Sequence, residues 1–191
     1  MEFTGIILLA VLAIVLVYFV MIYNQLVQVK HNVSKAWANI DVLLKQRHDE
    51  LPKLVETCKQ YMKFEQDTLV RVMEARAHVS TAREQQNIGA LGQAEGELRG
   101  ALGRLFAVAE AYPDLKTNET FQHLQARISA LENAIADRRE FYNESVNVNN
   151  VRIEQFPDSI VAGLFSFKPF TPLRFADAEK ADVPMKELFQ A

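Results

Sequence analysis

Hydrophobic positions follow different rules in successive parts of the chain. From Phe3 to Tyr23 the sequence FTGIILLAVLAIVLVYFVMIY is apolar all round, and no charge follows until Lys30. About 20 apolar residues span the hydrocarbon core of a bilayer as a helix, and a lone span can satisfy its backbone only as a helix. The pattern predicts one N-terminal transmembrane helix, with Tyr18, Phe19 and Tyr23 where aromatic rings collect at the membrane boundary. A cleaved secretory signal needs a basic start and a shorter apolar core, whereas Met1-Glu2 carries neither Lys nor Arg.

Past Tyr23 the pattern becomes amphipathic. Leu26, Val29, Val33, Ala36, Ile40 and Leu43 alternate in steps of three and four, the a/d seam of a coiled coil. The anchor is expected to continue as a stalk, a helix from Phe3 to Gln46 about 65 Å long. Asp49-Glu50-Leu51-Pro52 interrupts the seam, and since Pro disfavours helical geometry at the preceding residue, a kink or corner is predicted there. The next stretch carries Leu51, Leu54, Cys58, Met62, Leu69, Val72 and Val79, with Glu65 in the same register as a polar break that fixes partnering.

Residues 80–92 are small and polar with Gly89 and Gly92, and predict a loop or a frayed helical corner. A third helix has the stripe Leu98, Leu102, Leu105, Val108 and Tyr112. Its internal Gly96, Gly100 and Gly103 mark either close helix–helix approach or a weakly formed helix. Tyr112-Pro113-Asp114 ends it. In the fourth stretch Phe121, Ile128, Ile135, Tyr142 and Asn149 recur every seventh residue, interleaved with Leu124, Leu131, Arg138 and Ser145, until Phe156-Pro157. At roughly 36 residues it is far longer than a mean helix.

The expected fold class is all-α: an N-terminal transmembrane helix continuing into a long antiparallel, coiled-coil-like helical bundle. The expected organisation is an anchor over residues 1–25, a bundle over 26–157, an aromatic extended segment over 158–175 and a flexible tail over 176–191, with a short turn at Met185 to Phe189. The segment around Phe165, Phe167, Phe170 and Phe175 is broken by Pro169 and Pro172. It suits either chain laid along the bundle or an aromatic patch that docks on a partner or a membrane surface.

Composition narrows the function classes. The chain has 191 residues, 49% hydrophobic and 24% charged, enough apolar material for a packed core. A net charge of -3 without a basic run argues against nucleic acid as a partner. Cys58 is the single cysteine, so neither an intrachain disulfide nor a cysteine zinc site can form, and on an apolar stripe it is expected to be an inert core thiol.

Glu74/His78 and Glu119/His123 are four apart rather than the three of di-iron bundles, and are expected to be surface pairs. Arg47-His48-Asp49 is the densest polar cluster; with no cleft indicated, it is expected to pin the helix corner at Pro52. Arg139, Asn143 and Asn150 are expected to face other helices and tie the bundle by hydrogen bonds. No catalytic, cofactor-binding or metal-binding residues are expected, and no small-molecule substrate.

The ordered blocks resemble the LemA family. They are Tyr23-Asn24-Gln25-Leu26-Val27 closing the anchor, AWANIDVLLKQRHDELPKLVETCKQY from Ala36 to Tyr61, and Glu74-Ala75-Arg76. Then come Glu110-Ala111-Tyr112-Pro113-Asp114-Leu115, Phe121 with Leu124, and Arg139, Asn143, Val146 and Asn150 before Phe156-Pro157. The resemblance covers the chain to about Phe175. Glu50 before Leu51-Pro52, and Lys53 where the family commonly has Asn, depart from it. The resemblance implies a membrane helix followed by a long antiparallel bundle, and supplies no activity.

Two functions remain. One is a non-enzymatic anchored protein that self-associates into a ring or larger assembly scaffolding or shaping the bacterial membrane. The other is an adaptor or regulator for a membrane protease or envelope-stress signalling protein. The expected partners are the lipid bilayer and further copies of the chain, or a membrane protein. Lys30, Lys35, Lys45 and Arg47 follow the span while only Glu2 precedes it. A bacterial cytoplasmic membrane location is therefore expected, with the N-terminus outside and the C-terminal domain in the cytoplasm.

Overall fold

The computed structural model describes residues 2–175, and the side chains from residue 3. The tail over 176–191, including Met185 to Phe189, lies outside the described residues. Among these there are six helices and no strand: α1 (Glu2–Tyr61), α2 (Gln66–Glu84), α3 (Ile88–Ala109), α4 (Pro113–Lys116), α5 (Glu119–Glu154) and α6 (Asp158–Leu164). The fold is all-α, and α1 is the one described helix long and apolar enough to cross a bilayer. Its apolar segment is exposed from Phe3 to Met21 apart from the half-buried Phe19. A soluble protein could not leave so much contiguous apolar surface in water.

The chain divides into two compact units. Of the described residues, one unit comprises 2–39 with Glu140–Pro172, and the other Ile40–Arg139 with 173–175. In the second, consecutive helices are joined by short corners. The core is built from Ile40, Leu44, Leu51 and Leu54 of α1, Leu69, Val72 and Val79 of α2, Leu91, Leu98 and Leu105 of α3, and Phe121, Ile128 and Ile135 of α5. Each fully buried Leu or Ile contributes about 1.5–3 kcal/mol. Short-range signals set the helix starts: the Asn87 side chain accepts from Ala90 N (3.0 Å), Pro113 opens α4, and Asn118 Oδ1 accepts from Phe121 N (2.9 Å).

Several predicted boundaries are corrected. α1 runs through Pro52 without a corner and ends nine residues later, at Tyr61. The turn falls instead at Met62–Glu65, where no Gly or Pro announces it, and Glu65 caps α2: Thr68 N and Leu69 N donate to its carbonyl (3.1 and 3.3 Å). It is not a polar break within a seam. Of the loop or helical corner predicted over 80–92, a corner of three residues forms, Gln85–Asn87 with Gln86 at φ 52°, and both Gly89 and Gly92 are helical. The α1 seam buries Leu44 where Leu43 was expected, and on α5 the exposed Arg138 leaves the stripe while Val146 joins it.

Close approach does not explain Gly100 and Gly103, where an added Cβ meets nothing within 4 Å. Ala at either position is expected to stabilise the protein by about 0.5–1 kcal/mol through helix propensity, measured as a raised midpoint of chemical unfolding. Gly92 is the tight position: a Cβ there would lie 1.9 Å from the Arg174 carbonyl oxygen.

Candidate functional site

In the second unit the polar centre is Arg47. It takes a core position on the α1 stripe between Leu44 and Leu51 and is 1% exposed. Its guanidinium donates through Nη2 to Glu95, itself 2% exposed on α3, and through Nη1 to Glu132 on α5. Arg99 stands 3.8 Å from Glu132. Burial alone would lower the Arg47 pKa, but the two carboxylates outweigh it and hold the group above its ordinary value. Burial raises Glu95 despite the pull of Arg47. The charged pair is the state that satisfies both groups, because an ionised carboxylate accepts what a guanidinium can only donate.

One residue on, His48 with Arg76 of α2 explains how α1 passes Pro52. Pro has no N–H, so the His48 carbonyl four residues earlier lacks its helical donor. Arg76 Nε of α2 supplies one at 2.9 Å, while Arg76 Nη2 donates to His48 Nε2 at 2.6 Å. A guanidinium cannot accept, so this imidazole is neutral with its proton on Nδ1. Arg76→Met should destabilise by about 1–3 kcal/mol by orphaning that carbonyl. In a Pro52→Ala background, which restores the N–H, the loss should shrink. A double-mutant cycle on unfolding midpoints measures the difference.

Burial and then the Arg76 charge lower the His48 pKa from its ordinary value near 6.5. Asp49 pulls it back up, Arg83 lowers it and Glu84 raises it by smaller amounts. The unfolded chain therefore takes up the proton first. The stability from neutral His48 is present above about pH 6.5 and is lost as pH falls toward the depressed folded value. Between about pH 7 and 5 the wild type should lose stability relative to His48→Gln.

The first unit has its own polar set. Arg152 of α5 donates to Gln25 of α1 and to Asp158, which opens α6. Farther along, α5 brackets the chain after α6: Tyr142 Oη donates to the Thr171 carbonyl (3.0 Å), Asn150 Nδ2 donates to the Phe170 carbonyl, and Phe170 N donates back to Asn150 Oδ1 (2.9 Å each). Asn149, buried in the heptad register, reaches the Lys168 carbonyl at 3.5 Å. Burial raises the Tyr142 phenol, which keeps it a donor at neutral pH.

The residues singled out in the sequence thus separate. Asn150 holds an extended segment rather than a helix, and in the other unit the Arg139 guanidinium lies 4.1 Å from the Phe175 ring centroid. Asn143 is half-buried on α5. Tyr23 packs on Phe165 and Phe167 with centroids 4.7 and 6.1 Å away, and Asn24 is exposed. Asp49 is exposed; Arg47 and His48 bind α2, α3 and α5 partners rather than pinning a corner. Glu110 pairs with Lys116, Tyr112 precedes Pro113 at the start of α4, and Phe156-Pro157 lies between α5 and α6.

His78 meets Glu97 of α3 at 3.0 Å, not Glu74, and His123 is exposed. Cys58 is buried, with its thiol pushed up to about 12 by burial, too high for a thiolate nucleophile at neutral pH. Pattern reasoning missed Glu95, Glu132, Arg152 and Asp158. Glu95 had a signal: it stands in the stripe Leu91, Leu98, Leu102, as Arg47 stands in its own.

The sequence that builds this helical architecture matches a family over most of its length. The LemA family profile covers residues 36–186, and this chain belongs to that family. The match starts within α1 beyond its apolar segment. Among relatives, "Protein LemA" of Metamycoplasma hominis is 27% identical, over 95% of this chain and 83% of its own length. "Magnetosome protein MamQ 2" of Paramagnetospirillum magneticum is 25% identical, over 88% and 70%. "Magnetosome protein MamQ" of Magnetospirillum gryphiswaldense is 24% identical, over 96% and 77%.

Proposed function

We propose that this chain is a non-enzymatic, membrane-anchored protein that self-associates into a ring or larger assembly scaffolding or shaping a bacterial membrane. The observation that carries the reading is an outward stripe on α5. Phe141 and Val148 lie seven residues apart on one face, with Val151 one turn on, and all three are exposed. A second copy of the chain, anchored in the same membrane, is the partner always present at high local concentration. Against catalysis, the buried ionisable groups of the second unit, Arg47 and Glu95, are spent on one another. The void beside Arg47 and His48 is too small to admit a substrate.

In this reading the protein sits in the cytoplasmic membrane, and exposed Lys30, Lys35 and Lys45 after the span support an N-terminus outside. Val148→Cys tests the assembly in intact membranes, since Cys58 is buried and will not compete. Oxidation should give a disulfide-linked dimer, and Phe141→Glu in the same chain should reduce it. A Val148→Cys protein that stays uncrosslinked at every expression level would sink the idea.

An adaptor role for a membrane protease or signalling protein is favoured by a different feature. A groove of about 670 Å³ between α1 and α2 is lined by Pro52, Val55, Met62, Leu69, Val70 and Met73, and Phe64 in the adjoining corner is exposed. That reading predicts a hetero-partner cross-link abolished by Met73→Glu, with homotypic cross-linking unchanged.

A further inference from the structure

We infer that α6 is a second membrane contact, seated in the lipid interface beside the span, with Ile160 and Leu164 inserted among the acyl chains. The inference rests on the apolar segment of α1 crossing a bilayer. Contacts within the first unit fix where α6 lies along that segment. Val161 and Ala162 pack on Ile22 and Leu26, and the Phe165 ring sits 6.1 Å from Phe19 and 4.7 Å from Tyr23.

Span length then sets the depth. The hydrocarbon core is about 30 Å thick, which takes about 20 helical residues. Phe3 to Tyr23 provides about that length, whereas a segment ending at Val17 would fall several ångströms short. Phe19 therefore belongs inside the core edge and Tyr23 at it. Phe165, touching both, lies at that edge, and its neighbour Leu164 with it.

The unpacked face of α6 is apolar where water-facing helices are polar. Ile160 and Leu164 share a face, four residues apart, and are 59% and 68% exposed; Phe156, just before the helix, is 80% exposed. Left in water, this cluster would add to the exposed apolar surface of the span next to it. In lipid it continues the same apolar surface.

The polar groups are arranged to suit. The carboxylate of Asp158 is buried and paired with Arg152, so the helix brings no uncompensated acid to the boundary. On the far side from the core, Lys30, His31 and Lys168 line a groove of about 530 Å³. Lys30 lies about 10 Å of helix beyond Tyr23, at the level of the headgroup phosphates. An apolar face below a cationic fringe is the pattern of an interfacial helix, buried about 5–10 Å into the headgroup–acyl boundary.

The test uses full-length protein with Trp37→Phe, reconstituted in phosphatidylcholine–phosphatidylglycerol vesicles. One variant carries Leu164→Trp and a second Ile160→Trp; Val17→Trp reports separately on the span. Both α6 probes should emit to the blue of water-exposed Trp and lose roughly half their emission when the lipids are brominated near the headgroup end of the chains. Water-like emission quenched by acrylamide, while Val17→Trp is quenched by lipid, would overturn the inference and leave the span intact. Protection from both quenchers would also overturn it, by showing that protein covers the face. If Val17→Trp too is untouched by brominated lipid, the membrane reading itself fails and takes this inference with it.

Discussion

Glu95→Ala is expected to destabilise the protein by about 3–5 kcal/mol, because it strands a guanidinium that is almost wholly enclosed. Arg47 is 1% exposed and its Nε already has no hydrogen-bond partner, so the loss of Glu95 leaves the charge to Glu132 alone. Glu132 is 19% exposed and also near Arg99, so it cannot compensate fully. The harm comes from breaking the pair, not from the pair's own net worth. Taking charge off both sides with Arg47→Met and Glu95→Leu together should therefore cost far less than Glu95→Ala alone, and could even stabilise. Unfolding of the full-length protein in detergent, followed by circular dichroism, compares both variants with the wild type. A Glu95→Ala protein as stable as the wild type would mean that Arg47 reaches water or another acceptor.

Gly92→Ala should cost about 2–3 kcal/mol, although Ala is the better helix former. The new methyl would sit 1.9 Å from the Arg174 carbonyl oxygen, and backbone cannot swing aside as a long side chain can. The segment from Leu173 to Phe175 must lift. Leu173 then loses its burial, and the Phe175 ring moves from the Arg139 guanidinium. Gly100→Ala in the same helix has the opposite expected sign, since its Cβ meets open space. The two substitutions are chemically identical, so the contrast isolates the contact with Arg174. Limited proteolysis after residue 172 should accelerate in Gly92→Ala and not in Gly100→Ala.

Much of the architecture was legible because helical periodicity is a property of one element at a time. The apolar run from Phe3 to Tyr23, the heptad positions from Phe121 to Asn149 and the stop at Phe156-Pro157 needed no tertiary information. What failed was punctuation. Pro52 predicts a break, yet α1 passes it because Arg76, twenty-four residues on, replaces the missing donor to His48. The real corner at Met62–Glu65 has ordinary helix formers, and only its surroundings select a turn there.

The polar ties were half legible. Arg47 stands in a charged cluster of the sequence, but its role follows from occupying a core register, and so does that of Glu95. Two opposite charges each interrupting an apolar stripe are better paired in one core than assigned to two surfaces. The partners of Asn150 and Tyr142 are backbone groups of the chain after α6, which side-chain patterns do not reveal.

The central claim is self-association of an anchored helical protein. Static light scattering with refractive index detection on the full-length protein, extracted in mild detergent with its apolar segment intact, tests it most directly. A protein mass several times that of one chain, reduced by Phe141→Glu with Val148→Glu while helicity is unchanged, is the predicted result. A single chain per micelle at every concentration would contradict it.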